Sequence, residues 1–325
     1  MTALADTSRA AHGRAVSSTS PPTQTEGRVL RIAGGIYHVD LGPEILECAL
    51  RGRLKLGNER VTTGDRVLVE RLPDGGCRIA KLLPRTRVLS RRAAAGPREQ
   101  VIVANVDRLA AVFAIARPAP DLRLLDRFLA LAELNDLPAF LIVNKMDLAE
   151  GPASASPQSS SLDVYRDAGY PVVWTSAHRQ EGIDELREKL TGRATVLAGP
   201  SGAGKTSLLN LLLPDEELRV REVSRRLGRG KHTTVSSTFY RLPGGGYVAD
   251  TPGLQYLALW KVSPDELAGA FPEFRPALGG CRFNDCRHLE EPECAVRNLV
   301  RSGEASEGRY LSYVALLEEA REAQW

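Results

Sequence analysis

The first regular pattern along the chain is short. GRVLRIAGG, IYHVDLG, ILECALRGRLKLG, DRVLVERL and CRIAKLL, all within residues 27–86, interleave apolar and polar positions and stop at turns such as Gly34-Gly35 and Asp74-Gly75-Gly76. Such runs predict strands, and five of them in about 60 residues suit a small β-barrel of the OB type. From residue 107 the pattern becomes alternating strand and helix. RLAAVFAIA reads as a buried strand, and Leu122, Leu125, Phe128, Leu129 and Ala132 recur at helical spacing. PAFLIVNK and PVVWTSA read as strands and GIDELREKL as a helix. ATVLAGP is a strand running into TSLLNLLL, a helix, and TFYRL and YVADTPG form a hairpin around Gly244-Gly245-Gly246. This alternation predicts a mostly parallel α/β sheet. After Leu254 the chain turns helical: Ser263-Pro264-Asp265-Glu266 is a helix start and EGRYLSYVALLEEAR a closing amphipathic helix. The expected division is a disordered tail over 1–26, the barrel over 27–86, the α/β domain over 87–258 and a helical module over 259–325. The Ser-rich stretch 151–161 is a flexible insertion.

Composition adds little until it is placed along the chain. The 325 residues are 43% apolar, enough for two or three domains with a sizeable core, and the formal net charge is only +3. Yet no acidic residue occurs between Gly75 and Arg98, where Arg78, Lys81, Arg85, Arg87, Arg91, Arg92 and Arg98 lie. A second basic run, Arg219, Arg221, Arg225, Arg226, Arg229 and Lys231, is broken only by Glu222. Either run alone is consistent with a solvated loop; two of them flanking nucleotide motifs point to a polyanionic partner. The barrel offers one aromatic side chain for stacking, Tyr37, so it is expected to grip RNA by backbone and shape, with a purely structural barrel as the alternative. Five cysteines, three of them clustered, argue against a disulfide framework. No apolar run is long enough to span a membrane. The tail lacks the apolar core of a signal peptide, so the expected setting is the reducing cytoplasm, with an organellar transit peptide as the alternative.

Chemistry concentrates in five motifs. Gly199-Pro200-Ser201-Gly202-Ala203-Gly204-Lys205-Thr206 follows an apolar strand and opens a helix, the setting of a phosphate loop. Its backbone N–H groups would wrap the phosphates, Lys205 would neutralise them, and the Thr206 hydroxyl would hold Mg²⁺. Asp250-Thr251-Pro252-Gly253 ends a strand where a switch is expected: Asp250 would reach the same Mg²⁺ and the Gly253 N–H the γ-phosphate. Asn144-Lys145-Met146-Asp147 also ends a strand. The Asp147 carboxylate can accept from guanine N1–H and the 2-amino group, which adenine does not offer. Lys145 would lay its stem along the base, and Thr175-Ser176-Ala177 would present a backbone N–H to guanine O6. In the loop Gly228–Thr234, Thr233 or Thr234 is the candidate sensor of Mg²⁺ and γ-phosphate. Leu254 stands where many GTPases carry a water-orienting Gln. His232 is therefore the candidate hydrolytic group, with contact to RNA phosphate as its alternative role. Finally, Cys281, Cys286, His288 and Cys294 supply three thiolates and an imidazole, a tetrahedral Zn²⁺ set with no open position.

This combination resembles the circularly permuted ribosome-assembly GTPases of the RsgA (YjeQ) family, from about residue 27 to the C-terminus. The guanine motif precedes the phosphate loop in the chain. A sheet fixes motifs in space, however, and a cut in an exposed loop is tolerated where the termini lie close together. The resemblance implies an N-terminal OB-type barrel, a circularly permuted P-loop GTPase domain and a C-terminal helical zinc-binding domain. It further implies GTP hydrolysis stimulated by the small (30S) ribosomal subunit, a role in late maturation of that subunit, and 16S rRNA as partner to a monomeric enzyme. Under it, Asn144, Lys145 and Asp147 bind guanine, Gly199 to Ser207 bind phosphate, and Cys281, Cys286, His288 and Cys294 bind one structural zinc; Met146, Ser176 and Ala177 are candidate GTP-binding residues beside them. The alternative is a guanine-nucleotide-sensing RNA-binding protein with negligible turnover, a reading kept open by Leu254.

Overall fold

The computed structural model describes residues 24–50, 52, 60–92, 99–149, 162–213, 237–251 and 262–322. Strands β1 (Gln24–Ala33), β2 (Ile36–Asp40), β3 (Ile45–Leu50), β4 (Arg66–Arg71) and β5 (Cys77–Leu82) close into a barrel in the order β1-β2-β3-β5-β4. All five expected strands are present. Val29, Val39, Cys48, Val61, Val67, Val69 and Ile79 fill the interior, one face of each alternating run. β1 begins inside the stretch that composition assigns to the tail. Gln24, Thr25 and Glu26 pair there with Glu70, Val69 and Leu68 of β4, and that ladder outweighs local composition.

Part of the first basic run belongs to the fold. Arg78 meets the buried Glu70 at 2.7 Å. Arg85 grips the fully buried Asp65 with both ends of its fork, at 2.7 and 2.8 Å. A hairpin of β6 (Val88–Arg92) and β7 (Glu99–Ala104) then leads out of the barrel. Its alternation is masked by Arg91, Arg92 and the Ala-rich sequence after them, but Leu89 and Val103 are fully buried.

The central sheet has the order β10-β9-β8-β11-β13-β12, with β8 (Arg108–Ala114), β9 (Ala139–Asn144), β10 (Val172–Trp174), β11 (Ala194–Ala198), β12 (Thr238–Arg241) and β13 (Tyr247–Asp250). Every pairing is parallel except β12 on β13. Burial on both faces explains the unbroken apolar runs. Leu109, Ala111 and Phe113 of β8, with Leu141 and Val143 of β9, join the core under α1 (Leu122–Leu134). Ala110, Val112, Phe140 and Ile142 join the core under α3 (Ile183–Leu190) and α4 (Lys205–Leu212). A five-residue helix, α2 (Asp163–Asp167), is too short to have shown a period in the sequence.

The C-terminal module comprises α5 (Pro264–Leu267), short 3₁₀ turns at Ala268–Ala270 and Pro272–Ala277, α6 (Ala295–Ser302) and α7 (Glu307–Glu322). Phe271 and Phe274 stack at 5.2 Å between centroids, and Tyr313 meets both edge-on. This core continues into that of α1.

The barrel rests on the β12–β13 hairpin. The Tyr247 hydroxyl donates to buried Asp40 at 2.9 Å, Arg28 lies over the Tyr247 ring at 4.9 Å, and the Thr63 hydroxyl donates to the Ser237 carbonyl at 2.9 Å. Strands β12 and β13 are thus held from the barrel side. Among the described residues no helix is long and apolar enough to cross a membrane.

Candidate functional site

Three loops meet at the carboxyl edge of β9, β10 and β11, where open α/β sheets take their ligands. Asn144 is the junction. Its side chain is 1% exposed. Nδ2 donates to the Ala203 carbonyl at 3.0 Å, while Oδ1 accepts from the Ala177 N–H at 3.1 Å and the Thr175 hydroxyl at 3.2 Å. One carboxamide therefore ties the phosphate loop to the Thr175–Ala177 loop. Gly204 is required beside it: its φ is +94°, and a Cβ there would lie 2.1 Å from Asn144 Nδ2.

Lys145 is left-handed at φ 63° and donates from Nζ to the Arg117 carbonyl in the loop between β8 and α1. No sequence motif marks that loop; its proline-rich composition, ARPAPD, is the only signal it gave. The Met146 N–H donates to the Thr175 carbonyl at 3.1 Å. Asp147 is partly exposed and accepts from the Ser176 hydroxyl at 2.5 Å. That bond holds the carboxyl below the usual carboxylate range. Asp147 is therefore ionised near neutrality and can only accept hydrogen bonds, matching the two donors on the guanine edge. Ser176 is itself fixed, exchanging backbone bonds with Glu181 at 3.0 and 3.1 Å.

The phosphate loop closes on its own lysine. Lys205 Nζ donates to the carbonyls of Gly199 at 2.6 Å and Pro200 at 2.7 Å. Burial draws its pKa down, and the charge of Asp250 opposes that shift. Ser201, Gly202 and Ser207 are exposed around the loop, and Thr206 is the second residue of α4. Asp250 ends β13 in register with Leu197 of β11, and the Thr251 hydroxyl donates to the Leu197 carbonyl at 3.4 Å. The switch motif thus begins beside the strand that feeds the phosphate loop. His232, Thr233, Thr234, Gly253 and Leu254 lie outside the described residues, as do residues 151–161 and the second basic run.

The four expected metal ligands come together. One ligand atom from each of Cys281, Cys286, His288 and Cys294 lies within 4.8 Å of all the others. His288 Nδ1 is 3.5 Å from Cys281 Sγ and 3.4 Å from Cys294 Sγ. Burial lowers the His288 pKa and favours the neutral imidazole that a metal needs. Burial and crowding by neighbouring thiols push the Cys286 thiol up to about 12, a cost that a cation among the sulfurs would remove. The loop is clamped from α7: Tyr310 donates to the His288 carbonyl at 2.7 Å and Tyr313 to the Arg287 carbonyl at 2.8 Å. Cys294 also caps α6, accepting from the Arg297 N–H at 3.5 Å.

Known proteins resemble the chain over most of its length. Residues 82–260 match the family model described as RsgA GTPase. The chain is 44% identical to a protein of Gemmatimonas aurantiaca named small ribosomal subunit biogenesis GTPase RsgA, over 91% of this chain and 98% of that one. It is 42% identical to the protein of the same name from Moorella thermoacetica, over 90% and 97%. Among solved structures it resembles YjeQ from Thermotoga maritima, with a TM-score of 0.71 and 33% identity over 91% of this chain and 98% of that one. It also resembles YloQ, described as a circularly permuted GTPase, with a TM-score of 0.73 and 30% identity over 93% and 96%. The chain belongs to the RsgA GTPase family, whose members hydrolyse GTP.

Proposed function

We propose that this protein acts in biogenesis of the small ribosomal subunit, binding the subunit through its 16S rRNA late in maturation and hydrolysing GTP with stimulation by the subunit. The observation that carries the reading is the Asn144 junction, which ties together the loops expected to hold base and phosphate. The relatives' names, small ribosomal subunit biogenesis GTPase, supply the partner. Asp147 reads guanine, Ser176 and Ala177 line the base, Lys145 flanks it and Asn144 sets the loops. Residues Gly199 to Ser207 surround the phosphates, and Thr206 and Asp250 hold Mg²⁺ with the nucleotide. The cysteine–histidine cluster holds one structural Zn²⁺, since three thiolates and an imidazole suit that ion. GTP orders the segments 228–234 and 250–254, presenting basic residues and the C-terminal module to rRNA. Docking positions His232 for hydrolysis, after which the order dissolves and the protein, a cytoplasmic monomer, departs.

The test compares hydrolysis of GTP and ATP with and without small subunits. GTP turnover should rise severalfold on adding subunits while ATP turnover stays at background. Normal GTP binding with no response to subunits would overturn the reading in favour of an rRNA-binding guanine-nucleotide sensor.

A further inference from the structure

Two of the five cysteines take no part in the metal cluster, and they touch. Cys48 on β3 is fully buried in the barrel, and Cys77 at the start of β5 is partly exposed. The Cys48 thiol donates to Cys77 Sγ at 3.2 Å, and the Cys77 thiol donates to the Glu47 carbonyl at 2.8 Å. Their place in the barrel gives the contact its interest. β3 and β5 form a parallel pairing of the barrel, and among the described residues its ladder comprises Ala49↔Arg78 and Leu50↔Ile79. Cys48 and Cys77 each stand one residue before that ladder, so they face each other across the β3–β5 seam. Sulfurs in a disulfide lie about 2.05 Å apart, so the pair needs to close by roughly 1 Å.

We infer that Cys48 and Cys77 are a dithiol that closes reversibly into a disulfide across the β3–β5 seam when it meets a low-molecular-weight disulfide such as oxidised glutathione. Accessibility sets the order of events. The Cys77 thiolate attacks one sulfur of oxidised glutathione; that S–S bond breaks, a mixed disulfide forms on Cys77 and one glutathione thiolate leaves. Cys48 then gives up its proton and attacks Cys77 Sγ, releasing the second glutathione. Two protein thiols are oxidised and one glutathione disulfide is reduced to two thiols. Burial pushes the Cys48 thiol up, so it neither reacts first nor reacts alone, and the second step is the slower one. The bond covalently joins the strands that close the barrel, next to Arg78 and Lys81.

The sequence makes the product easy to read. Tryptic cleavage after Arg31, Arg51, Arg71 and Arg78 places Cys48 on peptide 32–51 and Cys77 on peptide 72–78. The full-length, metal-loaded protein is incubated with oxidised glutathione, alkylated, digested without reductant and weighed by mass spectrometry. The expected result is a linked 32–51/72–78 species that accumulates with time and disappears on reduction. Cys77→Ser should abolish the link and leave Cys48 unmodified. Cys48→Ala should trap Cys77 as its glutathione adduct. The inference is overturned if the parent protein keeps both thiols, or accumulates the Cys77 adduct without the linked species. That parent map decides the matter even where a variant fails to fold.

Discussion

Asn144 Nδ2 lies 3.0 Å from the carbonyl of Ala203, so the end of β9 grips the phosphate loop 59 residues further along the chain. The other side of the same carboxamide holds the Ala177 N–H. In the sequence Asn144 reads as a contact to the base. In the fold its polar atoms are engaged by protein, and it sets the spacing between the two loops proposed to read the base and hold the phosphates.

Asn144→Ala should therefore weaken GTP and GDP together. It leaves the buried Ala203 carbonyl and the half-buried Ala177 N–H without their partner, a cost of about 1–3 kcal/mol for the buried group. Affinity for both nucleotides should fall by about tenfold or more. Titration with fluorescent GTP and GDP analogues checks this; loss of GTP alone, with GDP unchanged, would contradict a bracing role.

Asp147→Asn should change which base is accepted. A carboxamide presents one donor where the carboxylate presented only acceptors, so it clashes with the guanine 2-amino group and suits the 2-oxo group of xanthine. GTP affinity should drop on the order of a hundredfold, and XTP should compete better than GTP. The parent protein also has a pH signature. The Ser176 hydrogen bond depresses the Asp147 pKa, so the charged form persists below the usual carboxylate range. Guanine recognition should stay flat from neutrality down through pH 5 and weaken only as pH falls through that lowered value. Ser176→Ala removes the cause, so its loss of affinity should begin at higher pH. Competition binding across pH reads both effects.

What sequence revealed and what it hid divide along one line. β9 was legible because an apolar run ends at once in Asn-Lys-Met-Asp, and Cys281 to Cys294 because the ligands share a short span. Both signals are local. Arg85 looked like a surface cation, but its partner Asp65 stands 20 residues upstream and is fully buried. The bracing of Asn144 and the contact of Lys145 with Arg117 depend on loops that only the sheet brings together. The β6–β7 hairpin escaped because Arg91 and Arg92 break its apolar alternation.

Metal removal should loosen the C-terminal module selectively. Cys294→Ser is the useful variant, since serine still offers an oxygen to cap α6 through the Arg297 N–H while giving up the thiolate ligand. Bound zinc should fall from about one equivalent to near zero by atomic emission. The module's melting transition should move down, while nucleotide affinity stays within about threefold of the parent. A variant that retained full zinc would remove Cys294 from the ligand set.

Arg309 is buried between α1 and the C-terminal module. Its guanidinium donates to Asp126 on α1 at 2.8 Å and to both oxygens of Glu273, and it lies over the rings of Phe271 at 5.0 Å and Tyr165 at 5.2 Å. Arg127 with Glu319, and Arg275 with Glu133, join the same two bodies nearer the surface. Arg309→Lys keeps the charge but lacks the planar fork, so it cannot serve both carboxylates while stacking on the rings. Leaving one buried carboxylate uncompensated costs about 3–5 kcal/mol, whereas the exposed pairs contribute about 1 kcal/mol or less. Arg309→Lys should therefore lower the melting temperature far more than Arg275→Lys and speed proteolysis between the GTPase domain and the C-terminal module. Scanning calorimetry and limited proteolysis measure the two effects. Equal, small shifts for both variants would mean that the aromatic core, and not the ion pairs, holds the module on α1.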